Sequence, residues 1–248
     1  MTIDYQIRGK VAVVTIDRAN KRNALNAEVV QVLNESFKKA DLDQSVGCIL
    51  LTANGPAFCA GSDLKALAGK SPQEMADIEQ AKSQLTVYMS KLSKPIICAV
   101  EGYALGGGLV LAMTCDVVVC AENAKLHLPE VKNGWIPPWG LKILSDRLGI
   151  SKAKQLAWGV NPLTANDAYR IGLVEHVVPQ DTTLPYALQL AQQYAGLPKA
   201  AVASVKTFFN RVNELTPITS DELSSKMFIE NCSHEVAQQT LISFTGKK

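Results

Sequence analysis

Four short runs, KVAVVTID at 10–17, VGCILLTA at 46–53, KPIICAV at 94–100 and CDVVVCA at 115–121, are apolar at nearly every position and bounded by Gly, Pro, Asn or Asp. Their enrichment in β-branched residues predicts strands. Strands without polar alternation have no solvent face, so both sides of their sheet should be covered. Between them the period changes from two to that of a helix. Val29, Val30, Leu33 and Phe37 fall on one face of a segment from Ala27 to Ala40, and a second helix is expected from Pro72 to Leu92. Strand and helix in alternation imply an α/β fold with right-handed crossovers.

Beyond about residue 140 the pattern is helical almost throughout. GLKILSDRLGISKAKQLAWG, TANDAYRIGLV, TLPYALQLAQQYAGL, PKAAVASVKTFFNRVN and SDELSSKMFIENCS read as successive helices with little strand between them. No Gly-, Ser- or Pro-rich linker sets this tail apart, so it is expected to extend the first domain. We place the site-bearing core at 1–190 and a helical region at 191–248.

Composition narrows the functional classes. Of 248 residues, 47% are apolar and 19% charged, which describes a folded protein. A formal charge of +2, with no block of like charges, gives no reason to expect nucleic acid as a partner. The start, MTIDYQIRGK, lacks the pattern of a signal peptide, and no apolar run reaches the length of a membrane span. A cytoplasmic, soluble protein without membrane attachment is the expectation. The six cysteines lie mostly within apolar runs and form no CxxC pair, so they read as small buried hydrophobes, not disulfides or zinc ligands. Histidines at 127, 176 and 234 are too scattered for a metal site.

The candidate chemistry begins at EGYALGGGLVLAMTCDVVV, residues 101–119. Glycines 106, 107 and 108 precede an apolar helix, where unpaired backbone N–H groups and the helix dipole favour negative charge. This is neither a P-loop, which needs a following Lys, nor a GxGxxG fingerprint. The glycines could equally serve close packing of helix on strand. A second small-residue stretch, GPAFCAGSDL at 55–64, follows a strand and leads into another helix. Two backbone donors converging on one oxygen make an oxyanion hole for charge developing on a carbonyl.

KRNALN, AFCAGSDL, KPIICAVEGYALGGG, CDVVV and LPEV followed by NGWIPPWG, in this order, resemble the crotonase (enoyl-CoA hydratase/isomerase) superfamily. The resemblance is close over roughly the first 180 residues and looser in the C-terminal helices. It implies a spiral of ββα repeats with a C-terminal helical trimerisation region, hence a homotrimer or a dimer of trimers. It also implies an acyl-CoA or acyl-carrier thioester substrate, CoA or carrier being part of the substrate and no separate cofactor being required. Carried over by position, the oxyanion donors are the N–H groups of Ser62 and Gly107. The Ser62 side chain is then free either to cap the helix that begins there or to contact substrate.

Two departures bear on the reaction. Hydratases of the superfamily carry one glutamate three residues after the middle glycine and another in a PE pair further on. Here the first position is Val110 and the second is Glu130. A single carboxylate suits a proton shuttle of the Δ3,Δ2-enoyl-CoA isomerase type, and desolvation by Val110 should raise the Glu130 pKa. GWIPPWGL also replaces a small glycine-rich stretch, with Pro138 removing a backbone donor and Trp135 and Trp139 offering either an acyl wall or core packing. His127 is a candidate auxiliary group, set against a structural role between Leu126 and Leu128. Asp63, Glu101 and Asp116 are read as structural or solvated charges. For the CoA handle the resemblance points to backbone at Ala24 and Ala60 and to basic Lys65, with Lys21, Arg22 and Lys247 as further candidates. The expected activity is double-bond isomerisation. Hydration with an atypical site, thioester decarboxylation and non-catalytic CoA binding are the alternatives.

Overall fold

A computed structural model describes residues 2–212, 217–237 and 239. The chain opens with an antiparallel hairpin, β1 (Ile3–Arg8) against β2 (Val11–Ile16), in register Ile3 to Ile16. Helix α1 (Ala27–Leu42) follows, its first turn capped by the Asn26 side chain accepting from the Val29 N–H. Strand β3 (Cys48–Ala53) returns parallel to β2. A single helical turn α2 (Leu64–Leu67) leads to α3 (Pro72–Ser90), which starts at a capping box of Ser71 and Glu74 with proline in its first position.

Strands β4 (Ile96–Val100) and β5 (Tyr103–Leu105) precede α4 (Gly107–Thr114). Then come β6 (Val117–Ala121), β7 (Lys125–His127), α5 (Leu141–Ala157), β8 (Leu163–Thr164), α6 (Ala165–Arg170) and β9 (His176–Val178). The main sheet has the order β1-β2-β3-β4-β6-β9, parallel apart from the opening hairpin, and β5-β7-β8 form a small second sheet. The unit strand–strand–helix recurs as β1–β2–α1, β4–β5–α4 and β6–β7–α5. Together with β3, the extended segment at Cys59 that bridges Ala104, and α3, these make the turns of a spiral.

The apolar strands are covered on both faces, as expected. Ala12, Val14, Ile16, Ile49, Leu51, Cys98 and Val100 face the core shared with α1, α3 and α4. The alternate residues Val11, Val13, Leu50, Ile97 and Val119 face α7 (Thr183–Ala195), which closes the other side with Ala187, Ala191 and Ala195. Residue 190 therefore falls inside a helix that packs on the sheet. Helices α8 (Lys199–Arg211) and α9 (Pro217–Cys232) continue beyond it. Cysteines 48, 59, 98, 115 and 120 are buried free thiols. Among the described residues no helix is long and apolar enough to cross a membrane.

The differences from expectation are local. Strands β1, β5, β7, β8 and β9 lack the apolar signature of the four strong runs. β1 is an edge strand whose exposed half, Gln6–Arg8, mixes polar residues with Ile7, and the others are two or three residues long. Such strands exist because their neighbours supply hydrogen bonds, which local sequence does not reveal.

Candidate active site

The segment Phe58–Asp63, with isolated bridges at Cys59 and Ser62, runs between β5 and the stretch around Leu25. On one side, Cys59 N–H donates to Tyr103 O and receives Leu105 N–H on its own carbonyl. On the other, Ala60 N–H donates to Arg22 O, Leu25 N–H donates to Gly61 O, and Asp63 N–H donates to Leu25 O. Because Gly61 and Asp63 both turn toward Leu25, the intervening Ser62 must aim its N–H the other way. Asn23, fully buried, fixes this loop by donating to Asn54 O and Ala57 O while accepting from the Arg18 N–H. The Arg18 guanidinium clamps Ala24 O and the Asp63 carboxylate at 2.8 Å, and this bond holds the Asp63 carboxyl below the usual carboxylate range.

The three glycines have separate reasons. Gly106 turns the chain from β5 into α4 at φ +51°, and a Cβ there would lie 2.6 Å from Glu130 Oε1. A Cβ on Gly107 would lie 2.7 Å from the Trp139 ring, and one on Gly108 would lie 2.3 Å from Cys59 O. Anion site and close packing are thus not alternatives here: Gly108 seats α4 on the Cys59 strand, and that seating sets where Gly107 N–H points. The two loops touch, since a Cβ on Gly61 would stand 3.4 Å from Gly107 N. Among the described residues neither the Ser62 nor the Gly107 amide N–H has a hydrogen-bond partner.

Both amides open on a cavity of about 680 Å³ walled by Ala60, Ser62, Leu67, Met75, Glu79, Gly107, Val110, Glu130, Trp135 and Trp139, among others. Glu130 opens the turn after the small sheet, its carboxylate against the Gly106 backbone and its Oε2 buried without a partner. Burial raises its pKa and the charge of Glu79 adds to that, while a bond from its own backbone N–H offsets part of the rise. Val110 is 3% exposed and packs on Gly140. Trp139 is 7% exposed, and Trp135, at 44%, stands at the outer side.

Ser62, Gly107, Glu130, Val110, Ala60, Trp135 and Trp139 meet at the cavity. His127 does not: its buried ring donates Nε2–H to Gly159 O at 2.9 Å, so its polar edge is spent on backbone. Ser62 does not cap α2. Asp63 does, accepting from the Lys65 N–H, while Ser62 Oγ receives the ammonium of Lys82 at 2.8 Å. Lys65 stands exposed on α2 and Ala24 is buried behind Arg18, neither on the cavity wall. Asp116 is structural, accepting from Ile96 N–H and pairing with Lys206. Lys247 lies outside the described residues.

Sequence reasoning missed Glu79 and Lys82. They occupy the buried face of α3 with Leu85, Thr86 and Met89. Glu79 Oε1 accepts from Lys82 Nζ at 2.7 Å and Oε2 from Trp139 Nε1 at 2.8 Å. The available signal was position: both charges continue, at helical spacing, the stripe that carries Leu85 and Met89.

A family model described as enoyl-CoA hydratase/isomerase matches residues 6–248. The chain is 37% identical to the 2,3-dehydroadipyl-CoA hydratase of Escherichia coli (strain K12) over 207 residues, covering 83% of this chain and 80% of the relative. It is 32% identical to the mitochondrial enoyl-CoA hydratase of Pongo abelii over 97% of this chain and 84% of the relative. A crystal structure of enoyl-CoA hydratase from Bacillus anthracis superposes with a TM-score of 0.94 at 26% identity, covering 100% of this chain and 97% of that one.

Proposed function

The chain belongs to the enoyl-CoA hydratase/isomerase family and is an acyl-CoA enzyme, and from this premise we propose that it moves a double bond from the 3- to the 2-position of an enoyl thioester. In this reading the thioester oxygen sits between the N–H groups of Ser62 and Gly107. The Glu130 carboxylate removes a proton from C2, the electron pair spreads onto that oxygen as a dienolate, and Glu130 returns the proton to C4, leaving the conjugated thioester. Preorganised amides lower the cost of the anion, each contributing on the order of 3 kcal/mol.

The observation that carries the reading is the state of Glu130. Its Oε2 is buried and unpartnered beside the Gly106–Gly107 turn, and Val110 fills the position of a second acid. A desolvated carboxylate with raised pKa is suited to take and give back one proton near neutrality. Val110, Leu67, Met75 and Trp139 give the cavity it faces an apolar wall. Hydration is the second reading, favoured by the hydratase names of the relatives and by Glu79 as another carboxylate on the same cavity. Parallel rate measurements on a 3-enoyl-CoA and on crotonyl-CoA separate the two. Faster isomerisation supports the proposal, and robust hydration with negligible isomerisation reverses it. For the assembly we propose a homotrimer joined through α8 and α9, supported by the exposed Phe209, Phe228 and Ile229, to be checked by mass in solution.

A further inference from the structure

Helix α3 buries Glu79 and Lys82 where its stripe would otherwise be apolar, Lys82 being 2% exposed and Glu79 8%. A buried ion pair loses most of its attraction to desolvation, so packing alone does not account for it. Its bonds run in two directions. Lys82 Nζ reaches Ser62 Oγ, on the residue that presents one unpaired amide to the cavity. Glu79 Oε2 holds the indole N–H of Trp139, whose ring rests on Gly107, the residue presenting the other.

We propose that Glu79 and Lys82 are positioning residues for the thioester site, one ion pair that aligns Ser62 through its cation and Trp139 on Gly107 through its anion. The proposal rests on the reading of those two amides as the oxyanion hole and of Glu130 as the base. The cation end lies next to the Ser62 side of the oxyanion hole, where negative charge grows. The anion end lies on the cavity shared with Glu130, where it favours the protonated carboxyl. Other titratable groups near Glu130 are placed differently. Lys70 lines the cavity from the exposed loop before α3, Lys132 lies on the exposed turn after Glu130, and the His127 ring is committed to Gly159 O.

The test compares wild type, Glu79→Gln, Lys82→Met and the Glu79→Gln/Lys82→Met double variant, which leaves no unpaired buried charge and guards against loss of fold in the single variants. Two readouts are taken: kcat/KM against pH, and infrared titration of the Glu130 carboxyl band, identified by its loss in Glu130→Gln. We expect kcat to fall roughly 10- to 100-fold in each single variant with KM little changed, the scale of a misaligned transition state. The Glu130 titration should move to lower pH in Glu79→Gln and the double variant, and to higher pH in Lys82→Met, where Glu79 loses its counter-charge. A purely structural pair would lower stability without moving that titration in opposite senses. Glu130 titrations that coincide with wild type in all variants overturn the proposal, even if Glu130→Gln abolishes turnover. The predicted shifts support the ion pair even if the thioester chemistry proves to be different.

Discussion

Around the cavity, the segments at Cys59–Ser62 and Leu105–Gly108 are positioned by main-chain hydrogen bonds to Arg22, Leu25, Tyr103 and His127. The rest of the wall is positioned by side chains, with Glu79 and Lys82 from α3 bonded to Trp139 and Ser62. The first region needs small residues and tolerates little added volume. The second needs particular functional groups and depends on helix packing. Donors made of backbone can be altered only by moving the chain, whereas the field around Glu130 can be altered by exchanging a side chain. The two regions should therefore respond to mutation in different ways.

The largest effect is expected where both regions meet. Glu130→Gln keeps the shape and removes the base, and should lower kcat for isomerisation by about 10³-fold, within the range for general acid–base groups. Next, Gly108→Ala forces a Cβ to within 2.3 Å of Cys59 O, so α4 must shift and carry Gly107 with it. We expect about a 10²-fold loss in kcat/KM with native circular dichroism and an unshifted pH profile, the signature of misplaced donors. Val110→Glu places an acid in an apolar wall where Val110 already packs on Gly140, so thermal unfolding should report a loss of about 1–3 kcal/mol. In that variant the ratio of hydration to isomerisation should rise. Ser62→Ala keeps the amide and removes only the acceptor of Lys82, so its cost should be about 1 kcal/mol, or a few-fold in kcat.

The smallest effect concerns stability. The Glu130 carboxyl has a folded pKa above its ordinary 4.5, so the folded state holds this proton more tightly than the unfolded chain. Its contribution is fully present below that ordinary value and is lost as pH rises through the folded value. Denaturant titration should therefore find Glu130→Gln more stable than wild type at neutral pH by about 1 kcal/mol, the relief of an unpaired buried charge. The gap should close when the pH falls below the ordinary glutamate range.

The backbone region was legible in the sequence because glycine and small residues leave a signature. GGG before an apolar run and AFCAGS after a strand are constraints on chain path that suggested two converging backbone donors; the family resemblance assigned these to Ser62 and Gly107, which do line one cavity. The four strong strands were legible for a similar reason, burial on both faces. The side-chain region was not. Glu79 and Lys82 look like ordinary surface charges in QEMADIEQAKSQL, and only the docking of α3 against the Trp139 loop makes them interior. His127 was open to either reading: its neighbours Leu126 and Leu128 pointed to a structural role, but the carbonyl that satisfies it belongs to Gly159, distant in sequence. Asn23 and Arg18, which fix the Ser62 loop, likewise act through partners at Asn54, Ala57 and Asp63 that no local pattern announces.

In the proposed reaction one buried carboxylate carries a single proton across the substrate while two amides hold the oxygen. It is tested most directly with a 3-enoyl-CoA deuterated at C2, converted in ordinary water and analysed by mass and NMR at low conversion. Because Glu130 Oε2 is buried, the account predicts that a substantial share of the deuterium appears at C4 of the 2-enoyl product, and that Glu130→Gln gives neither product nor transfer. Complete loss of the label to solvent, with none at C4, would contradict it.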